Sequence, residues 1–285
     1  MSRVWMWWRL PIAGIVSVLL ITATLVQADP HEKKDGSATA LQVILAGSHR
    51  SDTDKARDQY RHPLETLSFF GVKDNMTVVE VVPGGGWYTD ILAPFLKERG
   101  TYYAAGFDPE SDVEYMKKGA QQFKEKLAAK PELFGGAKVT ILSPPTKTDI
   151  APEGSADVVL TFRNIHNWMA NDQAGTVFKA MYRALKPGGV LGVVEHRGNP
   201  TVPQDPKAAS GYVREDAVIK LAEDAGFKLA GKSEINANPK DTKDYAQGVW
   251  TLPPVLRLKD VDKDKYLAIG ESDRMTLKFV KPAVK

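Results

Sequence analysis

Residues 78–89 read VVEVVPGGGWYT, and this stretch predicts how the chain around it folds. The apolar run 77–82 is typical of a buried strand, Pro83 to Gly86 predict a turn, and residues 87–97 have a helical pattern. Glycine lets the backbone turn tightly and approach a ligand, and free N–H groups at the start of the following helix face that ligand. Strand, glycine turn and helix together indicate the opening of a nucleotide-binding α/β unit.

A carboxylate stands about one βαβ unit further along the chain. Asp108 follows the second apolar strand, 101–107, where an acid can accept hydrogen bonds from both hydroxyls of a ribose. Taken separately, each feature also has a plain structural explanation. A glycine turn need bind nothing, and Asp108 precedes Ser111 and Asp112, as a helix-capping residue does. Together, on adjacent strands, the turn and the acid indicate a nucleoside ligand.

Strands and helices alternate along the rest of the chain. The pattern predicts a Rossmann-like, seven-stranded and mostly parallel sheet with helices on both faces. The last strand follows another strand rather than a helix, so we expect it to be antiparallel. The predicted organisation is a signal peptide at residues 1–28, a lead-in and N-terminal helical cap at 29–70, and one α/β domain at 71–285.

The first 28 residues have the composition of a secretory signal. Arg3 and Arg9 flank an aromatic cluster, residues 10–26 are almost wholly apolar, and Val26-Gln27-Ala28 offers a cleavage site. We therefore expect export, to the periplasm in a bacterium, with no stable membrane span after cleavage. The alternative is an uncleaved anchor helix, because the apolar run is near the lower length limit for crossing a bilayer.

Composition excludes several classes of function. The chain has no cysteine, which rules out disulfides, thiolate metal sites and cysteine nucleophiles. The formal charge of +3 becomes +1 once Arg3 and Arg9 leave with the signal peptide, so we expect no nucleic-acid partner. No Gly-x-Ser-x-Gly elbow is present, which argues against a hydrolase. A small-molecule substrate is the default expectation, a protein side chain is the alternative, and the oligomeric state is left open.

Four stretches together resemble class I S-adenosylmethionine-dependent methyltransferases, and within them a group of exported bacterial proteins that are predicted methyltransferases. They are the acid and glycines at 80–86, Asp108, the segment 161–168 after the fourth strand, and the helix-to-strand turn at 181–189. The resemblance covers roughly residues 50–285. It implies S-adenosylmethionine as cofactor and methyl transfer to a small-molecule acceptor.

The resemblance also assigns roles to individual residues. The cofactor-binding residues that it implies are Glu80, Pro83, Gly84, Gly86, Trp87, Phe107, Asp108, Phe162, Arg163 and Asn164. Methyl transfer is an in-line displacement, so alignment is the main requirement, and a base is needed only when the acceptor must lose a proton. The candidates for that role are His166, then His196, and Tyr60 from the N-terminal helices. Glu195-His196 lacks a third ligand at regular spacing, so no metal is predicted.

The sequence departs from the family pattern at two positions, and the predicted export leaves a second function open. Val82 stands where the first glycine is usual, which disfavours a nicotinamide-dependent oxidoreductase, and Ser143 with two prolines replaces the acid expected after the third strand, near the adenine. S-adenosylmethionine is made in the cytoplasm whereas this chain is predicted to be exported. The alternative function is therefore a catalytically silent, exported Rossmann-like binding protein.

Overall fold

The computed structural model describes residues 1–2 and 36–283. The predicted signal peptide at 1–28 and the lead-in before residue 36 fall on residues 3–35, so these two predictions lie outside the described residues. In the described part of the chain, no helix is both long enough and apolar enough to cross a membrane.

From residue 77 onwards, helices lie between most consecutive strands, whereas a loop joins the third strand to the fourth. The strands are β1 (Thr77–Val81), β2 (Thr101–Gly106), β3 (Lys138–Ile141), β4 (Ala156–Phe162), β5 (Leu185–His196), β6 (Lys228–Ser233) and β7 (Arg274–Val280). The helices are α1 (Gly36–Ala46), α2 (Asp52–Lys55), α3 (Asp58–Arg61), α4 (Pro63–Phe70), α5 (Thr89–Leu96), α6 (Glu114–Ala129), α7 (Pro131–Phe134), α8 (Ile165–Ala170), α9 (Ala174–Ala184), α10 (Glu215–Asp224) and α11 (Lys263–Ile269). The short helices α8 and α11 go beyond the sequence prediction.

Within residues 36–283, seven strands form one sheet in the order β3-β2-β1-β4-β5-β7-β6. The pairs from β3 to β5 are parallel, and β7 runs antiparallel to both of its neighbours. The predicted Rossmann-like sheet and its antiparallel last strand are thus confirmed. Because β7 is reversed, its first residue, Arg274, pairs with the last residue of β5, His196. The C-terminal segment therefore enters the sheet at the edge where the parallel strands end.

Helices cover both faces of the sheet, and the alternation of side chains along β1 shows how. Val79 and Val81 pack into the core cluster that also holds α9 residues such as Phe178 and Met181. Val78 points to the opposite cluster, which includes Leu67 of α4 and other residues of α1 and α5. Glu80 lies on the same face as Val78, so its carboxyl group is buried among apolar side chains.

Local signals explain the N-terminal helical segment between residues 36 and 71. The Ser51 hydroxyl accepts a hydrogen bond from the Asp54 N–H at 3.1 Å and caps α2. Pro63 occupies the first turn of α4, where its missing N–H has no consequence. Gly71 ends α4 with φ of 78°, a left-handed conformation that favours glycine. These short helices place Arg57 and Arg61 beside the ends of β1 and β4.

Candidate functional site

A cavity of about 710 Å³ opens where the carboxyl ends of β1, β2 and β4 meet. Its wall includes most of the residues that the resemblance implies, namely Pro83, Gly84, Trp87, Phe107, Phe162, Arg163 and Asn164. A second cavity, of about 1060 Å³, lies between the same turn and α6 and shares Val82, Pro83, Gly84 and Phe107 with the first. Only the first cavity reaches β4 and the N-terminal helices, so we take it as the candidate site.

The glycine turn offers free space and free donors. A Cβ built on Gly84 or Gly85 meets nothing within 4 Å, so a ligand could lie against this backbone. The N–H groups of these two glycines donate to no protein group within residues 36–283. Gly86 differs, because its Cβ would stand 2.7 Å from Cε of Lys126 and its φ is 79°. Glycine at position 86 is therefore favoured by its left-handed conformation, independently of any ligand, whereas the flexible Lys126 side chain could move away from an added Cβ.

Val82 adopts the conformation that a glycine would favour. Its φ is 50°, in the left-handed region, which is strained for a β-branched residue. Its N–H bonds to the Ala105 carbonyl at 2.8 Å, and its carbonyl lies 3.4 Å from the Asn164 amide nitrogen. These two contacts hold Val82 between β2 and the segment after β4. Val82 therefore replaces the usual glycine without changing the conformation of the turn.

Glu80 lies beneath the turn rather than in the cavity wall. Its Oε2 accepts hydrogen bonds from the Tyr102 hydroxyl at 2.5 Å and the Thr89 hydroxyl at 3.0 Å. Thr89 begins α5 and Tyr102 belongs to β2, so this carboxyl group ties together the elements that flank the turn. Burial raises the pKa of Glu80 to about 7, although both hydroxyl hydrogen bonds act to lower it.

This buried acid predicts a pH-dependent stability that Glu80→Gln removes. The pKa of Glu80 is raised from 4.5 to about 7, so between these values the unfolded chain releases a proton that the folded chain retains. The folded state therefore loses stability as pH rises through this window, by about 3 kcal/mol in total, and the loss is constant above pH 7. We expect the free energy of unfolding of the wild type relative to that of Glu80→Gln, measured in urea at pH 4.5, 6 and 8, to fall by this amount, because the other titrating groups contribute equally to both proteins.

The control for this comparison is Glu98→Gln, because the Glu98 side chain is 82% exposed. It should reproduce the wild-type pH profile. If Glu80→Gln also reproduces it, the Glu80 carboxyl group is already ionised across the range and the argument from burial fails.

Asp108 is buried and already partnered. Its Oδ2 accepts a hydrogen bond from Lys147 Nζ at 2.6 Å, and its Oδ1 accepts one from the Glu110 N–H at 3.1 Å. These hydrogen bonds, led by that of Lys147, hold the pKa of Asp108 below its usual range. The neighbouring Phe107 lines the cavity, whereas the Asp108 carboxylate is directed to Lys147, which the sequence analysis did not single out.

The segment after β4 is held in place by its own side chains. The Asn164 amide group donates to the Val81 carbonyl at 2.9 Å and lies 3.2 Å from the Thr161 hydroxyl, so it fastens β4 to β1. Arg163 has φ of 61°, a left-handed conformation, and its N–H bonds to the Val194 carbonyl at 2.7 Å. Strained backbone of this kind clusters at functional sites. The bend directs the segment 162–164 along the cavity wall.

Aromatic rings form the side of the cavity near the N-terminal helices. Phe162 stacks on Tyr88, with centroids 3.6 Å apart and planes inclined by 9°. The Arg61 guanidinium lies over the Trp87 ring, 4.5 Å from its centroid, and Arg50 also lies over this ring at 5.0 Å. Such contacts orient both the indole and the cations. Trp87 therefore serves as a fixed wall between the glycine turn and α3.

His166 forms a dyad with a carboxylate behind the cavity. Its Nδ1 lies 3.1 Å from Glu195 Oε1, and because a carboxylate only accepts, Nδ1 carries the proton and Nε2 is left basic. Glu195 also accepts the Ile165 N–H at 2.6 Å and the His196 N–H at 2.7 Å. The His166 ring is buried and lies 6.0 Å from the ring of Trp250, a cavity-wall residue.

The other two predicted base candidates are placed less favourably. His196 lies with its ring 5.4 Å from that of His166, and its Nδ1 is 2.6 Å from the Ser272 hydroxyl. Burial, with the nearby positive charges, lowers the pKa of His196 well below its usual range. Tyr60 is half-buried, and its ring lies against Gly270 rather than in the cavity wall.

His166, Glu195 and His196 are also close enough to hold a metal ion. Each offers one ligand atom, and these three atoms lie within 4.8 Å of one another. Both Glu195 oxygens, however, already accept backbone N–H groups. The fold thus supplies in His166 a third possible ligand residue that the sequence spacing did not show, while the hydrogen bonds observed order His166 and Glu195 as a dyad.

The comparisons with known proteins agree on the fold. Residues 79–193 match the sequence model of the methyltransferase domain. The matched segment begins within β1, ends within β5, and includes the turn at Pro83 to Gly86 and the Gly188-Gly189 pair. The chain is similar to a SAM-dependent methyltransferase from Aquifex aeolicus, with a TM-score of 0.50 and 18% identity over 79% of this chain and 93% of that one. It is also similar to the [4+2]-cyclase SpnF, with a TM-score of 0.52 and 14% identity over 87% and 93%. Among proteins of curated function, none matches this sequence.

Proposed function

We propose that this protein is an S-adenosylmethionine-dependent methyltransferase that acts on a small-molecule acceptor. The observation that carries the proposal is the turn after β1, inside the segment that matches the methyltransferase domain. Gly84 and Gly85 present N–H groups without a partner among the described residues and leave open space above their Cα atoms. A backbone of this kind suits the polar amino-acid end of an adenosyl cofactor.

The remaining residues of the site fit the same cofactor. Each Asp108 oxygen accepts one hydrogen bond from the protein, so each keeps a lone pair for a ribose hydroxyl. Phe107 offers a ring beside that carboxylate for stacking against the adenine. The acid that the family pattern has after β3, near the adenine, is absent, and Ser143 in its place lines the cavity.

The cofactor, when bound, supplies a methyl group on a sulfonium, whose transfer breaks the carbon–sulfur bond and leaves the electron pair on sulfur. The chain's own contribution is alignment and exclusion of water. Trp87 and Phe162 form an apolar wall, and Asn164 fixes the ends of β1 and β4 relative to each other. His166, with Nδ1 held by Glu195, is the group that can take a proton at Nε2.

A second candidate is a protein that binds the cofactor without turning it over. The fold itself does not specify methyl transfer, since a solved protein similar to this chain is a [4+2]-cyclase. The predicted export of the chain, which we also propose on the strength of residues 1–28, favours this candidate because the cofactor is made in the cytoplasm.

Calorimetric titration tests the proposal directly. We expect the mature protein to bind S-adenosylhomocysteine at one site per chain, and NAD not to bind. Transfer of a labelled methyl group to an acceptor would separate the enzyme from the silent binder. Binding of NAD in place of S-adenosylhomocysteine would contradict both and favour an oxidoreductase.

Asp108→Ala is expected to weaken S-adenosylhomocysteine binding by roughly 10- to 100-fold, because a charged hydrogen-bond partner of the ribose is removed. The matched control is Asp149→Ala, since the Asp149 side chain is 94% exposed and lies after β3, outside the cavity wall. Unchanged affinity of Asp108→Ala would leave Asp108 with a structural role alone, as the partner of Lys147 and the Glu110 N–H.

A further inference from the structure

Three arginine side chains contact one carboxylate beside the cavity, and a fourth arginine lies close enough to interact with them electrostatically. Arg57 Nε donates to Glu271 Oε1 at 2.6 Å, Arg61 Nε lies 3.4 Å from Oε2, and Arg274 also contacts Oε2. Although burial acts to raise it, these guanidinium groups hold the pKa of Glu271 at about 2. The fourth member is Arg163, the residue at the bend after β4. One carboxylate therefore stands against four positive charges.

Arg163 is the member of this cluster without a partner. Within residues 36–283, its guanidinium group forms no hydrogen bond and no ion pair, while its residue lines the cavity. Burial and then Arg274 lower the pKa of Arg163 to about 10, and burial and then Arg163 lower the pKa of Arg61 to about 8. Arg163 is half-buried, and with only one carboxylate among the four guanidinium groups the cluster carries an excess of positive charge.

The other charges at the cavity do not balance this excess. The Asp90 Oδ2 atom forms an ion pair with Lys126 Nζ at 2.8 Å. Asp54, the other acid of the cavity wall, accepts a hydrogen bond from the Ser51 hydroxyl at 2.6 Å and, within residues 36–283, forms no ion pair with any of the four arginines. S-adenosylmethionine would not balance it either, because its sulfonium and ammonium groups outweigh its one carboxylate at neutral pH. With that cofactor bound, the positive excess beside α3 and β4 would grow.

We propose that the methyl acceptor carries an oxyanion, a carboxylate or a phosphate, which binds between the guanidinium groups of Arg163, Arg61 and Arg57. Arg57 and Arg61 contact Glu271 through Nε, so their terminal nitrogens are left for a ligand. All three nitrogens of the Arg163 guanidinium group are available as donors. Guanidinium forks match carboxylate and phosphate oxygens in pairs. The identification of this ligand as the acceptor rests on the proposed function.

The rest of the cavity wall indicates what the anion is attached to. Trp87, Phe162, Trp168 and Trp250 contribute aromatic faces, and the Arg257 guanidinium lies over the Trp250 ring at 4.6 Å. A cavity of about 710 Å³ is of the size that holds small molecules. The acceptor is therefore a small acid with an apolar or aromatic body.

Calorimetry with benzoate, phenyl phosphate and the neutral benzamide tests this inference, each probe titrated with and without saturating S-adenosylhomocysteine. We expect at least one anionic probe to bind and benzamide not to bind. Arg163→Gln should weaken the anionic probe by on the order of 10-fold or more, with Arg57→Gln as a second variant in case the first does not fold. Arg99→Gln is the control, because this arginine pairs with Asp74 at 3.1 Å and its side chain is 63% exposed.

The outcomes separate this inference from the proposed function. Binding of the anions without any binding of S-adenosylhomocysteine would overturn the methyltransferase proposal and support the oxyanion site. Equal binding of benzoate and benzamide, or anion binding that neither arginine variant weakens, would overturn the oxyanion site. Displacement of the anion by S-adenosylhomocysteine would overturn it too, since the arginines would then serve the cofactor's own carboxylate.

Discussion

Gly84→Val is expected to abolish cofactor binding while the chain still folds. An added side chain at this position enters the open space against which we propose the cofactor lies, because nothing of the protein stands within 4 Å of its Cβ. We expect the affinity for S-adenosylhomocysteine to fall on the order of 100-fold or more by calorimetry. The φ of 59° at Gly84 adds a strain of about 1–2 kcal/mol, which lowers the melting temperature by a few degrees.

Gly154→Val separates strain from the loss of the site. Gly154 has φ of 62°, and its Cβ would also meet nothing within 4 Å. It precedes β4 and lies at the opposite end of that strand from the cavity. Gly154→Val should therefore show a similar decrease in melting temperature and wild-type affinity for S-adenosylhomocysteine. A Gly84→Val protein that binds as well as Gly154→Val would move the cofactor away from this turn.

His166→Asn is expected to slow methyl transfer roughly 10²- to 10⁴-fold, the usual contribution of a positioned base, with an acceptor that must lose a proton. Asparagine can still donate a hydrogen bond to Glu195 Oε1, but it cannot take a proton. His166 lies behind Trp250 of the cavity wall, so it would reach the acceptor through an intervening water, and the affinity for S-adenosylhomocysteine should not change. Single-turnover rates and calorimetry on the same protein measure the two effects separately.

His62→Asn is the matched control for this variant. His62 is half-buried between α3 and α4 with φ of 39°, a conformation that asparagine tolerates well. It should turn over at the wild-type rate. If His166→Asn does so as well, the His166–Glu195 pair only orders α8, and the proton leaves by another route.

The sequence was informative where the signal was local. Pro83 to Gly86 predict a turn from their own conformational preferences, and the turn lies in the predicted place, between β1 and α5. The antiparallel β7 was also predictable, because no crossover helix of sufficient length was expected before it. The cavity residues after β4 came from the resemblance, since Phe162, Arg163 and Asn164 have no periodic signal of their own.

Contacts between distant segments could not be predicted in this way. Arg61 and Glu271 are 210 residues apart, and they meet because β7 begins at the edge where the parallel strands end. The hydrogen bond of Lys147 to Asp108 depends on the path of the loop after β3. A lysine or glutamate on a charged chain carries no sign of the distant residue with which it will pair, so neither Lys147 nor Glu271 was distinguishable beforehand.

The reversed direction of β7 makes the segment after residue 193 necessary for the complete fold. A chain truncated at residue 193, the limit of the match to the methyltransferase domain, would keep the whole glycine turn. It would nevertheless lack Glu271 and Arg274. Without β7, β5 would become an exposed edge strand able to pair with other copies of the chain. The residues after 193 are thus structural partners of the N-terminal helices, because Glu271 pairs with Arg57 and Arg61, and Arg274 donates to the Tyr60 carbonyl.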